Sequence, residues 1–385
     1  MQNAVLRLWI LAFGRSTRGP LETSRFGRRL ARACEMSKLI HGMPTGWRDA
    51  GQRYGSAPAP PLDNGMIVIT TSAHVAHDPD TMAPTPGGRP FYDRAARVEQ
   101  LLVAVSRLGL PTAPAPDHGM ASIAAVHDAG YLHFLETAFS RWQATPMAGP
   151  AVRPFAYAVR QMQRRPDHIV GQAGYYLSGF TVPVLQGMWH AAKSSAHVAV
   201  EGARRILGGA REAYSLCRPS GHHTYADLAG GFCYLNNAAI AAQVLVEGGA
   251  KPAILDVDVH HGNGTQGILY ERDDVFFCSV HGDPRELYPW YAGYADETGM
   301  GRGLGCNLNL PLAAGTGDAG YVAAIETGLA SIKRFGASVL IVSLGFDAHA
   351  GDPTANLAVT AEGFRTIGQC MGSFGLPTLL VQEAP

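Results

Sequence analysis

The chain has 385 residues, 46% of them hydrophobic and 16% charged, and its 31 basic residues equal its 31 acidic ones. Zero net charge argues against nucleic acid or an anionic membrane as a partner, and no apolar run reaches the roughly 18 residues of a membrane span. The length allows one large α/β domain or two small ones, and six scattered cysteines without a CxxC pair read as thiols in a reducing, cytoplasmic compartment.

Residues 1–65 differ from everything after them. Seven arginines precede residue 36 against two acids, Glu22 and Glu35, and 51–65 is rich in Gly, Pro and Ala. Such a start can be an organelle presequence, but the plainer reading is a disordered N-terminal extension, with the folded domain occupying 66–385. Residues 66–71 form a β-rich first strand, followed by His74, His77 and Asp78 in a loop. Apolar spacing predicts helices over 94–108 and over 123–139, the second interrupted near Gly130. Residues 142–167 are irregular and arginine-rich, a long loop of the kind that is often functional or interfacial.

A long amphipathic helix is expected over 187–207, and a strand over 213–216 runs into Gly221, His222 and His223. A helix at 237–247 stops at Gly248 and Gly249. Strands follow at 253–258 and 275–281, then a Gly/Tyr-rich loop to 305, a helix at 321–335 and a strand at 338–343 ending near Asp347. A helix at 361–372 and a strand at 377–382 complete the series. Strands alternating with helices predict an α/β fold with a mainly parallel sheet, whose ligands sit beyond the carboxyl ends of the strands. The polar clusters all follow apolar strands, so they can converge at one edge.

Asp256, Asp258 and His260 recur at every second residue, which on an extended strand places them on one face. Carboxylates and an imidazole crowded there are costly unless a cation or a proton network holds them. Asp258 and His260 read as two ligands of one metal, with Asp256 behind them; the bland alternative is a strand end with solvated acids. Asp347 supplies a third ligand, set against the reading of a loop acid. Three protein ligands leave positions open, as in catalytic sites, and the donor set is compatible with Zn2+, Fe2+ or Co2+. His222 and His223 are candidates for general acid/base work. Asp256 could fix one imidazole, and Asn263 could orient the other without a charge, leaving it more easily neutral. Phe232 and Tyr288 are candidate aromatic walls of a substrate channel, or simply core.

Four motifs carry a resemblance: Ser215-Leu-Cys-Arg-Pro-Ser-Gly-His-His-Thr224, Gly231-Phe-Cys-Tyr-Leu-Asn-Asn237, Asp256-Val-Asp-Val-His-His-Gly-Asn-Gly-Thr-Gln266 and Ser343-Leu-Gly-Phe-Asp-Ala-His349. Together they resemble the histone deacetylase family. Gly171-Gln-Ala-Gly-Tyr-Tyr176 and Tyr294-Ala-Asp-Glu-Thr-Gly299 are most similar to its bacterial acetylpolyamine amidohydrolases. The resemblance implies an arginase/deacetylase α/β fold and zinc-dependent hydrolysis of acetylated amines such as acetylpolyamines or acetyl-lysine. It implies Asp258, His260 and Asp347 as zinc ligands, and His222 and His223 as the acid/base pair backed by Asp256 and Asn263. It further implies potassium near Asp256, Asp258, His260, Ser279 and Val280, and a homodimer built through 142–167.

Two departures bear on activity. The family's last strand leads into a loop whose tyrosine donates to the substrate carbonyl. Here Glu383-Ala-Pro385 follows, so a truncated C-terminal end and impaired turnover are expected; Tyr225 is the replacement to test. Val170 also stands where the polyamine branch carries an acid, with Asp283, Glu286, Asp296 and Glu297 as compensating candidates. The competing functions are a catalytically silent metal-binding homologue and a binuclear manganese ureohydrolase, the latter disfavoured by Asn263 and by the paired histidines.

Overall fold

A computed structural model describes residues 65–79, 91–158 and 164–383. The extension at 1–65 therefore lies outside the described residues, Gly65 excepted. Eight strands form one sheet: β1 (Ile67–Thr70), β2 (Thr112–Pro114), β3 (Glu212–Ser215), β4 (Pro252–Asp256), β5 (Phe276–Gly282), β6 (Asn307–Leu312), β7 (Val339–Leu344) and β8 (Thr378–Gln382). Their spatial order is β2-β1-β3-β8-β7-β4-β5-β6, and every pairing is parallel. The last two strands thus fill the gap between β3 and β4. That insertion brings the ends of β3, β8, β7 and β4 side by side.

Both faces of the sheet are covered, which is why its strands read as unbroken apolar runs. Along β8, Leu379 and Val381 join one buried cluster while Leu380 joins the other, the alternation that a pleated strand requires. The first cluster takes in α3 (Ala129–Gln143), α4 (Ile169–Tyr176), α5 (Met188–Leu207) and α6 (Asn237–Glu247). The second takes in α1 (Ala95–Arg107), α8 (Asp318–Phe335) and α9 (Ala361–Ser373). Small residues let α5 lie close to the strands. A Cβ at its Gly202 would sit 2.3 Å from Ser215 Oγ and 2.6 Å from Leu379 Cδ1.

Several boundaries differ from those expected. The break in 123–139 falls before Asp128, not at Gly130: α2 (Ala121–Ala124) ends, and the Asp128 side chain accepts the Tyr131 N–H to start α3. The central strand stops at Asp256, two residues earlier than its polar pattern suggested. Edge strands β2 and β6 and the short helices α4 and α7 (Asn263–Leu269) were not predicted. Each is short or rich in Gly, Asn or Pro, where periodicity carries little signal.

Candidate metal centre and active site

The site forms where the chain leaves four neighbouring strands. Past β4 the acids themselves hold the backbone. The Asp258 N–H donates to Asp256 Oδ1 at 3.1 Å, the His260 N–H to Asp258 Oδ1 at 2.9 Å, and the Val259 N–H to Asp347 Oδ1 at 2.8 Å. The carboxylates therefore shape the loop that displays them, and Asp347, from beyond β7, is stitched into the loop beyond β4. His260 Nδ1 lies 2.9 Å from Asp347 Oδ2 and 3.3 Å from Asp258 Oδ1. One donor atom from each of Asp258, His260 and Asp347 falls within 4.8 Å of the others.

The histidine loop is fixed from several directions. Arg218, 2% exposed, donates through Nε to Asp93 Oδ1 at 2.8 Å and through a terminal nitrogen to His74 O at 2.8 Å, anchoring the loop's start to the segment before α1. Two N–H groups in the first turn of α7, from Gly264 and Thr265, both donate to His222 O at 3.0 Å. His222 Nδ1 meets Asp256 Oδ2 at 3.1 Å, and His223 Nδ1 meets Asn263 Oδ1 at 2.7 Å. The two imidazole rings stand 4.0 Å apart.

These partners drive the two imidazoles in opposite directions. Burial disfavours charge on His222, but the carboxylates of Asp258 and Asp256 outweigh it and raise its pKa to about 10. Burial pushes His223 far below the ordinary imidazole range, helped by His222 and His260, because Asn263 offers a dipole and no charge. Burial and the neighbouring Asp347 push the Asp258 carboxyl well up. Two acids so close cannot both ionise cheaply without a cation, and Asp258 Oδ2 and His222 Nε2 are buried with no hydrogen-bond partner. An oxygen-rich set with an unsatisfied carboxylate oxygen fits a divalent metal such as zinc.

The donor atoms of His222, Cys233 and Glu383 also converge within 4.8 Å. There the thiol donates to Gly231 O at 3.2 Å, and burial pushes its pKa far up.

Of the potassium candidates, Ser279 lies directly across the ladder from Asp256; the Ser279 hydroxyl is bonded to His281 Nδ1 at 2.9 Å. The Tyr288 ring packs edge-on to His223 at 4.9 Å, and its centroid lies 6.2 Å from that of His260. Phe232 adopts φ 68° and packs against Phe91 at 5.2 Å. The Tyr225 hydroxyl accepts from Asn263 Nδ2 at 3.3 Å, behind His223. Asp283 is engaged by Arg285. Glu297 accepts from Gln266 Nε2 at 2.6 Å and from the Gly293 N–H at 2.8 Å. Both acids thus have partners within the chain.

Sequence reasoning missed Glu383 and Gly345. A Cβ at Gly345 would sit 2.3 Å from Asp258 Oδ2, so only glycine lets the chain leaving β7 pass this close to Asp258. Glu383 carried a signal like that of Asp256, an acid closing an apolar run.

The model of the histone deacetylase domain matches residues 92–383. The chain belongs to the histone deacetylase family. Within that family it is 45% identical over 296 residues to an acetylpolyamine amidohydrolase of Mycoplana ramosa, covering 76% of this chain and 87% of that protein. It is 44% identical over 297 residues to acetylpolyamine amidohydrolase 2 of Pseudomonas aeruginosa, covering 76% and 86%. The crystal structure of an acetylpolyamine aminohydrolase from Burkholderia pseudomallei superposes with a TM-score of 0.80 at 41% identity, covering 83% of this chain and 94% of that one. The expected deacetylase fold is thereby borne out.

Proposed function

We propose that this family member is a metal-dependent amidohydrolase that removes acetyl groups from acetylated amines, acetylpolyamines first among them. The observation that carries the reading is the meeting of Asp258, His260 and Asp347 donor atoms within 4.8 Å, beside two histidines in unlike surroundings. Asp258, His260 and Asp347 would hold zinc. When bound, such an ion polarises a carbonyl and lowers the pKa of water to about 7.

The chain's own residues supply the rest. His223, neutral with its Nδ1 proton on Asn263, keeps its other nitrogen free to accept a proton from the attacking water. His222, held on Asp256, carries positive charge beside the forming oxyanion and can return a proton to the leaving amine. Tyr288 and Phe232 line the approach and exclude water. Potassium near Asp256 and Ser279 would offset the buried acids. The exposed rings of Phe155 and Tyr157 in the 142–167 segment support the homodimer reading.

The test is acetate release by zinc-loaded protein from N-acetylputrescine and from an acetyl-lysine peptide. Release that is lost in His223→Ala is expected. No release from either substrate, with a hydroxamate still bound, would select the catalytically silent alternative.

A further inference from the structure

Glu383 has no part in the reading above, yet its position is central. Strand β8 lies between β3, which leads to the histidines, and β7, which leads to Asp347, and Glu383 follows its last residue. The side chain is buried, 1% exposed. Its Oε2 accepts the backbone N–H of Gly221 at 2.7 Å and that of His222 at 3.1 Å. Its Oε1 accepts the Ser343 hydroxyl at 3.3 Å, and its own N–H donates to Leu344 O at 2.9 Å. A single carboxylate therefore joins the loop of the acid/base pair to the strand that presents a metal ligand.

Packing alone does not call for an acid here. An apolar residue fills space without the several kcal/mol that desolvating a carboxylate costs. What the acid adds is one acceptor for two backbone N–H groups at once, with bonds roughly twice as strong as neutral ones in its ionised form. The loop it grips has little freedom elsewhere, since a Cβ at Gly221 would meet the Asn237 backbone nitrogen at 2.4 Å. The peptide that Glu383 holds is the one carrying His222, whose ring must meet Asp256 and whose neighbour must meet Asn263.

We propose that Glu383 is a positioning residue: it sets the peptide of Gly221 and His222 so that both imidazoles face the metal ligands in register. The inference rests on the amidohydrolase reading for its catalytic consequence. Its geometric content stands apart and can be read without turnover.

The experiment compares Glu383→Ala, which leaves two buried N–H groups unpaired, with Glu383→Gln, which keeps an acceptor oxygen for them. A displacement of about 1 Å can cost on the order of 100-fold in rate. Glu383→Ala should lose about 100-fold in kcat with KM within about twofold, and Glu383→Gln should restore kcat to within about fivefold of the parent. In protein labelled with 15N-histidine, long-range 1H–15N spectra should show the His222 ring signals moved in the alanine variant and retained in the glutamine variant.

If Glu383→Ala does not fold, Glu383→Asp withdraws the carboxylate by one methylene and should lose at least about tenfold in kcat at unchanged KM. Parental kcat in the folded Ala or Asp variant, or unmoved His222 ring signals, overturns the proposal. An inactive parent would sink the hydrolase reading and leave the ring signals to decide on Glu383.

Discussion

Replacing Gly231 by alanine would place a methyl group on top of His223. The added Cβ would lie 2.1 Å from His223 Cδ2 and 2.6 Å from Cγ, against an ordinary carbon–carbon contact of about 3.5–4.0 Å. Relief needs a shift of about 1.4 Å, and the ring has little room to give. It stands 4.0 Å from the His222 ring and 4.9 Å from the Tyr288 ring, with Nδ1 tied to Asn263. Gly231 also has φ 49°, where an L-residue costs about 1–2 kcal/mol. We expect Gly231→Ala to lose about 100-fold in kcat, equivalent to about 2.7 kcal/mol, and about 1–3 kcal/mol in stability. Gly209→Ala is the control, because φ is 97° there and nothing lies within 4 Å. It should bear the backbone cost alone and keep parental kcat. Steady-state acetate release and urea unfolding on both variants decide the matter. Parental kcat in Gly231→Ala, at a stability loss matching the control, would refute the claim that His223 must stay where it is.

Gly345→Ala drives a Cβ to within 2.3 Å of Asp258 Oδ2, so zinc affinity should drop on the order of 100-fold, read by competition with a chromophoric chelator. His127 takes the Asn236 N–H on Nε2 at 3.0 Å and donates from Nδ1 to Ala226 O at 3.2 Å, an arrangement that only the neutral ring can make. Burial accordingly lowers its pKa to about 4, and those of His77 and His281 to about 3 and about 4. The folded protein refuses protons that the unfolded chain accepts. The contribution of these three rings is therefore full above about pH 6.5 and falls as pH drops toward 4, by up to about 1.4 kcal/mol per pH unit for each ring. Between pH 7 and 5 the urea midpoint of the parent should fall more steeply than that of His127→Gln. Arg218→Ala leaves the buried Asp93 carboxylate with Arg97 alone, at 3.4 Å, and should cost about 3 kcal/mol in unfolding free energy, the low end for a broken buried pair.

The strands and long helices were legible because their sequences repeat. The buried runs of β4, β7 and β8 and the apolar stripe of α5 each carry many residues of the same signal. The alternation of Asp256, Asp258 and His260 pointed to the right cluster for an incomplete reason. Only Asp256 is on the strand, and the other two are held by backbone N–H bonds to neighbouring acids. Opposite protonation of the two histidines was foreseeable, since a carboxylate and an amide treat an imidazole differently. The roles of Gly345, Gly231 and Glu383 were not. Each depends on a close approach between segments distant in sequence, and a single glycine or acid has no periodicity to announce it.

The most direct test of the central claim is equilibrium zinc binding to metal-free protein, with Asp347→Ala measured alongside. One ion per chain is expected, with affinity falling on the order of 100-fold or more when Asp347 is removed. No stoichiometric binding, two ions per chain, or affinity indifferent to Asp347 would contradict the site as described.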